Sequence, residues 1–152
     1  MSTILGLDVH ATNYAETVAR SLEWAARQES RSVIFANVHV VMEAFDDPTF
    51  RSSLNNADLV NPDGVPLVWA LRAMGKRHAT RVCGPDAMLH LLEAAEKNTV
   101  PVGFYGGSSI GLKRLIMRLR ERYPRLQIAF EMSPPFRELS VEEDDQVVRD
   151  IA

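Results

Sequence analysis

The sequence predicts a single α/β domain over residues 1–152, built on a mainly parallel β-sheet. Short β-rich runs alternate with amphipathic helical segments along the whole chain. The clearest strand, residues 32–38, is continuously apolar rather than alternating, which is typical of a strand buried on both faces. Parallel pairing is favoured because each crossover helix must return the chain to the same end of the sheet.

The composition is that of an ordinary globular protein. Of 152 residues, 46% are apolar and 24% charged, and 20 acidic against 17 basic side chains leave a net charge of -3. This balance gives no reason to expect nucleic acid as a partner or an acidic disordered chain. There is no apolar run of about 18 residues and no secretory signal, so we expect a cytosolic protein. The single cysteine, Cys83, cannot form an internal disulfide or a cysteine-based metal cluster.

Cap and turn signals divide the first half of the chain. Asn13 and Glu16 have capping-box spacing, and Pro48 is suited to a helix start. Pro62-Asp63-Gly64 predicts a turn, and Gly75 a helix end. The predicted elements are a strand at 4–9, helices at 13–28 and from 39, a short helix at 48–56, a segment at 57–61 leading into the turn, and a helix at 65–74, with the strand at 32–38 between the first two helices.

The second half follows the same alternation. Gly84-Pro85-Asp86 opens a helix that Asn98-Thr99 ends, and Pro124 stops another helix. Ser140 and Glu143 form a capping box for a last helix that runs to the chain end. The predicted elements are a helix from 84 to 98, a strand at 100–105, a helix at 110–123, a strand at 126–130, a loop at 133–136 and the final helix.

Three unusual local sequences fall where ligands bind in parallel sheets, beyond the carboxyl ends of the strands. They are Asn37-Val38-His39, Asn61-Pro62-Asp63-Gly64 and Tyr105-Gly106-Gly107-Ser108-Ser109. Their coincidence is a stronger indication than any one of them. We therefore predict that Asn37, Asp63 and Gly106 cluster at one edge of the sheet.

The glycine loop has two interpretations. Gly106-Gly107-Ser108 lies between a strand and a helix, where backbone N–H groups and the helix N-terminus can hold a phosphate. Equally, the glycines could only tighten a turn. Ser108 stands where a dinucleotide fingerprint needs glycine, and no Walker lysine follows, so this signal is weak on its own.

The polar candidates have structural alternatives as well. Asp63 could serve as general base on a substrate hydroxyl, although a carboxylate at such a turn more often caps a helix. Asn37 could bind a ligand or satisfy a loop, and His39 could shuttle protons or be structural. The remaining histidines share no metal-ligand spacing with His39, so no metal site is predicted.

Basic side chains are unevenly distributed. Arg81 precedes Gly84 and could reach the same edge, where its planar fork suits a diphosphate. Residues 113–125 hold six basic side chains against one acid, whereas 138–150 hold six acids and one arginine. The basic helix could touch anionic lipid, or it could be a solvated face that pairs with the acidic segment.

Four blocks together resemble the WecG/TagA/CpsF family of glycosyltransferases. They are Phe35-Ala36-Asn37-Val38-His39, Ala57-Asp58-Leu59-Val60-Asn61-Pro62-Asp63-Gly64, Arg81-Val82-Cys83-Gly84-Pro85-Asp86 and Phe104-Tyr105-Gly106-Gly107. The resemblance covers nearly the whole chain. It implies a Rossmann-like, three-layer α/β domain and inverting transfer of an N-acetylmannosamine-type sugar from a UDP donor to a polyprenyl-diphosphate-linked acceptor in cell-surface polysaccharide synthesis.

The resemblance also implies roles for individual residues and partners. Asp63 matches the family's proposed base. The implied substrate-binding residues are Asn37, His39, Gly64, Arg81, Asp86, Gly106, Gly107 and Ser108. No cofactor, metal or nucleic acid is implied. Peripheral membrane contact is expected in the full-length protein, at the inner face of the cell membrane.

The chain departs from the family in two ways. Phe35 stands where the family often has threonine. The family continues into a further strand, a glycine-rich segment and a C-terminal appendage, so we expect this chain to be truncated at the C-terminus. A chain ending inside an amphipathic helix should expose apolar surface, which predicts a homo-oligomer.

Other functions stay open. A nucleotide-binding α/β module without catalysis is the main alternative, and glucosyl or uronosyl transfer is another. A dehydrogenase is disfavoured by the incomplete fingerprint. Donor sugar, acceptor and linkage are not determined by the sequence.

Overall fold

A computed structural model describes residues 1–151 and confirms the α/β class. The chain divides into two compact units, Met1–Leu91 and Leu92 onward, with one helix running through the boundary. Two of the three strand pairs are parallel, as predicted. The expectation of a single domain stays a prediction.

The described residues form seven helices and six strands. The strands are β1 (Ser2–Ile4), β2 (Leu7–Val9), β3 (Val33–Ala36), β4 (Leu59–Pro62), β5 (Val102–Tyr105) and β6 (Ile128–Met132). The helices are α1 (Tyr14–Ala26), α2 (Val38–Asp46), α3 (Pro48–Asn55), α4 (Val65–Ala73), α5 (Gly84–Asn98), α6 (Ser109–Arg122) and α7 (Val141–Ile151). None of these helices is long and apolar enough to cross a bilayer.

The prediction of one continuous strand at 4–9 is wrong. Residues 2–9 instead form an antiparallel hairpin, in which Ile4 pairs with Leu7. The turn between the strands has positive φ at both positions, 49° at Leu5 and 89° at Gly6. Glycine adopts such a conformation at no steric cost, so Gly6 reverses the chain where the apolar run suggested continuity.

The central strand of the first unit is β4 rather than β3. All four β4 residues are buried, whereas Val33, Ile34 and Phe35 of β3 are only partly so. β4 pairs with β3 in parallel on one side, and its Val60 oxygen accepts from the His10 backbone N–H on the other. The fully buried strand is therefore the one that leads into the Pro62-Asp63-Gly64 turn.

A single apolar cluster holds this unit together. It joins the hairpin, the ends of both parallel strands and the inner faces of α2, α3 and α4. Its buried members are Leu7, Val9, Ala36, Val41, Ala44, Leu54, Val60, Leu67, Leu71 and Ala79. Burial of these side chains fixes the strand ends from which the polar loops project.

Side-chain caps start the helices of the first unit where the sequence predicted. Asn13 accepts from the Glu16 backbone N–H, and Asp47 accepts from Thr49 and Phe50 before the N1 proline. Each cap satisfies N–H groups that lack a partner in the first helical turn. The helices at 13–28 and 48–56 are thereby confirmed to within two residues.

The second unit pairs β5 with β6 in parallel, and α6 follows β5. β6 begins two residues later than predicted because Leu126 is used in a turn, where its N–H donates to the Tyr123 oxygen. β5 also begins two residues late. There the Val100 N–H closes the end of α5 on the Ala95 oxygen, beyond Thr99 with a φ of 57°.

The imidazole of His10 accepts a hydrogen bond that a strand carbonyl would otherwise accept. Beyond the end of β2, Nδ1 of His10 accepts from the Val60 N–H at 3.1 Å, while the His10 N–H donates to the Val60 oxygen at 2.9 Å. Burial, reinforced by the N-terminal ammonium and Arg20, lowers the pKa of His10 below its ordinary value. Only the neutral ring, with Nδ1 free of its proton, can accept this bond.

We expect acid to destabilise the protein through His10. Because its pKa is lower in the folded chain than in the unfolded chain, the unfolded state takes up protons first, and the free energy of unfolding falls as pH drops below about 6.5. His10→Asn keeps an acceptor near the Nδ1 position and removes the titration. Urea unfolding between about pH 7.5 and pH 5 should then show a smaller loss in this variant.

The exposed His90 supplies the control. His90→Asn should leave the acid-induced loss unchanged. Equal losses in the parent chain and His10→Asn would show that His10 does not couple protonation to folding.

Candidate functional site

The parallel pairing of β3 and β4 brings two of the predicted site residues together. Ala36 is the register partner of Pro62, so Asn37 and Asp63 each follow a strand end at the same edge. The Asp63 N–H donates to the Ala36 oxygen at 2.8 Å and prolongs the pairing by one bond. This places the Asn37 and Asp63 segments side by side, as the sequence predicted for this part of the site.

Gly64 lies against the start of α2. A Cβ atom at this position would lie 3.4 Å from the Leu67 Cδ1, 3.6 Å from the Val38 nitrogen and 3.7 Å from the Asn37 Cα. These are ordinary contact distances, so the space beside Gly64 would accept a Cβ atom. Gly64 also serves as N-cap of α4 without a side-chain hydrogen bond. Its place beside Asn37 and Asp63 follows from the strand ends rather than from a chemical group of its own.

Asp63 is the best-connected polar group at this edge. Its Oδ1 accepts from Nη2 of Arg81 at 3.1 Å, and its Oδ2 accepts from the Gly84 N–H at 3.4 Å. Nε of Arg81 donates to the Asp63 main-chain oxygen at 3.3 Å. The carboxylate side chain is 18% exposed, against 50% for the arginine.

The loop that carries Arg81 is fastened beside β4. The Val82 N–H donates to the Pro62 oxygen at 3.0 Å, and the Thr80 N–H donates to the Thr12 oxygen at 3.0 Å. Arg81 therefore projects from a segment held on both sides. Arg81 reaches the edge that carries Asp63, as expected from the sequence.

The side-chain oxygen of Asn37 accepts a hydrogen bond, whereas its side-chain nitrogen is free to donate. Its Oδ1 accepts from the Val40 N–H at 3.1 Å and caps α2. The residue is exposed, and within the described residues its Nδ2 has no protein partner. The structural interpretation of Asn37 thus applies to its oxygen, which stabilises the helix. Its amide N–H groups face solvent, and ligand binding by them stays a prediction.

His39 is not brought to the carboxylate. Its ring lies on the first turn of α2, with Nε2 3.3 Å from the Glu43 Oε1 one turn further on. The side chain is 78% exposed. This arrangement is an ordinary surface pair on a helix, and it contributes little to stability.

Asp86 belongs to a second polar group, centred on Tyr14. The Tyr14 hydroxyl accepts from the Cys83 N–H at 3.0 Å and lies 3.4 Å from the Asp86 Oδ2. Its ring also contacts His90 at a centroid distance of 5.0 Å. Tyr14 therefore helps to hold the start of α5, a part that sequence reasoning missed because Tyr14 lies about seventy residues away in the chain.

A buried polar network lies beneath the site. Asn61, which is fully buried in β4, accepts at Oδ1 from the hydroxyls of Thr12 and Thr17 at 2.7 and 2.8 Å. Its Nδ2 has no hydrogen-bond partner. The signal for this network in the sequence is the asparagine that interrupts the apolar run of β4.

Phe35 occupies the place where the family often has threonine. A Cβ built on Gly84 would lie 3.5 Å from the Phe35 ring, so the ring packs directly against the first residue of α5. Phe35, Gly84 and Thr17 line part of a mostly apolar cavity of about 190 Å³. The substitution thus brings an apolar surface to the start of α5 instead of a hydroxyl.

The glycine loop of the second unit follows β5 directly. Gly106 and Gly107 have φ values of 122° and 70°, and a Cβ atom at either would meet nothing within 4 Å. The loop is anchored by the Gly106 N–H on the Met132 oxygen and by the Ser133 hydroxyl on the Gly107 oxygen. Backbone conformation, and not close approach, is what requires glycine here.

Ser108 completes this loop as the N-cap of α6. Its hydroxyl accepts from the Gly111 N–H at 3.1 Å. The two glycines therefore form a tight turn, as one of the two interpretations predicted. The space beside both glycines is open, so the loop backbone is accessible to a ligand. The prediction that Gly106 clusters with Asn37 and Asp63 stays a prediction.

The first unit thus presents a carboxylate, a half-exposed guanidinium and free amide N–H groups at the carboxyl ends of parallel strands. In residues 1–151 no three His, Cys, Asp or Glu side chains are grouped so as to hold a metal ion. In general, a carboxylate can accept a proton from a hydroxyl, and a guanidinium beside it can bind an anionic leaving group. The fold and these groups define a Rossmann-type α/β protein with a candidate transfer site.

The chain belongs to the glycosyl transferase WecG/TagA/CpsF family, whose model matches residues 2–152. The resemblance found in the sequence blocks is thereby confirmed. Because the match runs through both units, each of the four quoted blocks lies inside the family domain.

Two curated relatives carry the same name, N-acetylglucosaminyldiphosphoundecaprenol N-acetyl-beta-D-mannosaminyltransferase. The protein from Bacillus spizizenii is 30% identical over 97 residues, which cover 64% of this chain and 38% of the relative. The protein from Staphylococcus aureus is 25% identical over 128 residues, which cover 83% of this chain and 50% of the relative. The chain therefore spans half or less of the length of these relatives.

We expect Asn61→Ala to destabilise the chain by about 1–3 kcal/mol, because the Thr12 hydroxyl loses its acceptor in a buried place. Thr12→Val in the Asn61→Ala background removes the Thr12 hydroxyl together with its acceptor and should recover part of that loss. Urea unfolding of Asn61→Ala, Thr12→Val and the double variant gives the coupling energy. Strictly additive losses would contradict a shared network.

Proposed function

We propose that this chain takes part in an inverting hexosyl transfer, in which N-acetylmannosamine passes from a UDP donor to a polyprenyl-diphosphate-linked N-acetylglucosamine. Family membership supports glycosyl transfer, and the names of the relatives support the sugar and the acceptor. The observation that carries the proposal is the Asp63–Arg81 pair at the strand ends, beside the free amide of Asn37.

Asp63 is the base in this proposal. The acceptor hydroxyl oxygen attacks the anomeric carbon, the bond from that carbon to the UDP oxygen breaks, and the hydroxyl proton passes to the Asp63 carboxylate. Attack on the face opposite the leaving group inverts the anomeric centre. Asp63 is suited to this because it is mostly buried and held in position by Arg81 and the Gly84 N–H.

Arg81 and the glycine loop each suit an anionic ligand. Half of the Arg81 side chain is exposed, so its remaining N–H groups can bind a phosphate oxygen. We assign Gly106, Gly107 and Ser108 to the UDP moiety because they offer open backbone at the N-terminus of α6. In the first unit, Asn37 and Gly64 lie beside Asp63, and Asp86 is at the start of α5. His39 keeps only a peripheral role in binding.

A polyprenyl-linked acceptor would place the reaction at a membrane. We propose the inner face of the cell membrane, because a UDP-sugar is a water-soluble donor and the acceptor is anchored in lipid. The relatives' names supply the acceptor.

One observation favours a second candidate function, a nucleotide-binding module without catalysis. Both carboxylate oxygens of Asp63 already have partners, and the bond to the Gly84 N–H serves the start of α5. A carboxylate used in this way could be purely structural. The two functions differ in what happens when its charge is removed.

Asp63→Asn separates them. If Asp63 is the base, turnover should fall by about 10²- to 10⁴-fold while UDP affinity stays within about twofold. If it is only a cap, stability should fall by about 1–2 kcal/mol and any activity should follow the folded fraction. Transfer from UDP-N-acetylmannosamine, UDP binding by calorimetry and thermal unfolding are measured on the same preparations.

Arg81→Gln is the matched variant, since it breaks the same ion pair from the other side. It should weaken UDP binding about tenfold, because a charge-assisted contact is lost. Near-normal turnover in Asp63→Asn would remove Asp63 as the base. Binding of NAD in preference to UDP would overturn the glycosyl-transfer proposal as a whole.

The glycine loop is tested by Gly107→Ala. A positive φ costs an alanine about 1–2 kcal/mol, so the loop should relax and UDP affinity should fall several-fold. Gly75→Ala is a close control, because Gly75 has a φ of 87° and equally open surroundings. The control should lose similar stability and keep its UDP affinity. Equal UDP affinities in the two variants would remove the loop from the donor site.

A further inference from the structure

Helix α6 carries apolar side chains on two opposite faces. Its inner face buries Ile116 and Leu119 in the second unit. On the outer face, Ile110 and Met117 are 67% and 60% exposed. Their spacing of seven residues aligns them along one line of the helix. Folding accounts for the inner pair and leaves the outer pair without a protein partner.

Cations border this outer line on both sides. All five are exposed: Lys113, Arg114, Arg118, Arg120 and Arg122. Glu121 is the one acid within the helix, and it lies on the same line as Ile110 and Met117. The outer face of α6 therefore has an apolar centre with basic flanks.

These cations are not neutralised by the acidic segment. In residues 1–151 none of the five forms an ion pair, and Arg122 lies over the Tyr123 ring at 5.4 Å. The α7 acid Glu143 is paired with Arg137 instead, and Asp150 accepts from Gln146. Pairing of the basic helix with the acidic segment, one of the two interpretations of the sequence, is thus absent from the described residues.

We propose that the outer face of α6 docks on an anionic phospholipid surface. The five cations would lie among lipid phosphates and carboxylates, while Ile110 and Met117 enter the boundary between headgroups and acyl chains. A basic face combined with aliphatic side chains is the pattern of helices that lie in a membrane interface.

The exposed aliphatic pair favours lipid over a nucleic acid. A phosphate backbone would attract the same cations but gains nothing from Ile110 and Met117, and the face offers no aromatic ring for base stacking. The net charge of the chain is -3, so the chain as a whole is repelled by an anionic membrane. Binding of a net-negative protein to a negative surface requires a local basic patch.

The face is suited to a surface rather than to one headgroup. Beside the helix, an open groove of about 470 Å³ is lined by Lys113, Met117 and Arg120 but also by Glu121 and Glu131. Two carboxylates in the groove oppose capture of a single phosphate. Vesicles of phosphatidylserine and phosphatidylglycerol at equal charge should therefore bind the chain equally.

The test is sedimentation of the 152-residue chain with vesicles. Vesicles with about 30 mol% phosphatidylserine should bind it, vesicles of phosphatidylcholine alone should not, and added salt should release it. Arg114→Gln with Arg118→Gln should weaken binding roughly 30-fold, at about fivefold per cation. Ile110→Gln with Met117→Gln should weaken it about tenfold without changing the salt dependence.

Arg20→Gln with Arg77→Gln is the matched control, because it removes two exposed arginines of the first unit. It should bind vesicles like the parent chain. Thermal unfolding should be the same for all variants, since every altered side chain is exposed.

Equal weakening by the control, equal binding to phosphatidylcholine, or no binding to anionic vesicles would each overturn the proposal. So would retention by duplex DNA with no retention by vesicles. None of these readouts involves UDP or sugar transfer. Failure here therefore leaves the proposed reaction untouched, and loss of that reaction leaves this surface testable.

Discussion

The parallel register of β3 and β4 is the constraint on which the candidate site depends. Pairing of Ala36 with Pro62 brings two strand ends to the same level, and the bond from the Asp63 N–H to the Ala36 oxygen holds them there. Because of this register, the amide of Asn37 and the carboxylate of Asp63 lie side by side. A side chain placed by a strand end is held by the core, which is the most rigid support that this fold offers.

From this edge, connections spread to distant parts of the first unit. The segment 79–83 lies along β4 through the Val82 bond to Pro62 and supplies Arg81. The start of α5 is held twice, by the Asp63 carboxylate and by the Tyr14 hydroxyl. The segment 79–84 is therefore held by an ion pair, by backbone hydrogen bonds and by the Tyr14 hydroxyl, although it contains no regular strand.

Local signals predicted the elements well, and long-range contacts decided what they missed. Capping side chains at Asn13, Asp47 and Ser140 act within three residues, so their helices could be placed from sequence. The hairpin at residues 2–9 was missed because Leu5, the first residue of its turn, continues the apolar run and only Gly6 marks the reversal.

Among the site residues, the turn with Asp63 and its neighbour Asn37 could be predicted, because parallel strands end at a common edge. The support from Tyr14 could not, since no periodicity links residue 14 to residue 86. The sequence did not indicate the surface pair of His39 with Glu43, and a binding role for His39 stays a prediction. Proximity along the chain is a poor guide to where a side chain on the first turn of a helix will point.

Asn61 bears on how accurately that edge is set. Apolar contacts alone discriminate weakly between strand registers of β4. All four of its residues are buried, so a slip by one residue would exchange the faces that Leu59 and Val60 occupy without exposing either side chain. A slip by one residue would set an aliphatic side chain against the hydroxyls of Thr12 and Thr17, and the Thr12 hydroxyl would lose its acceptor. The buried amide of Asn61 therefore fixes the register of β4, and this register sets the position of Asp63 two residues further on.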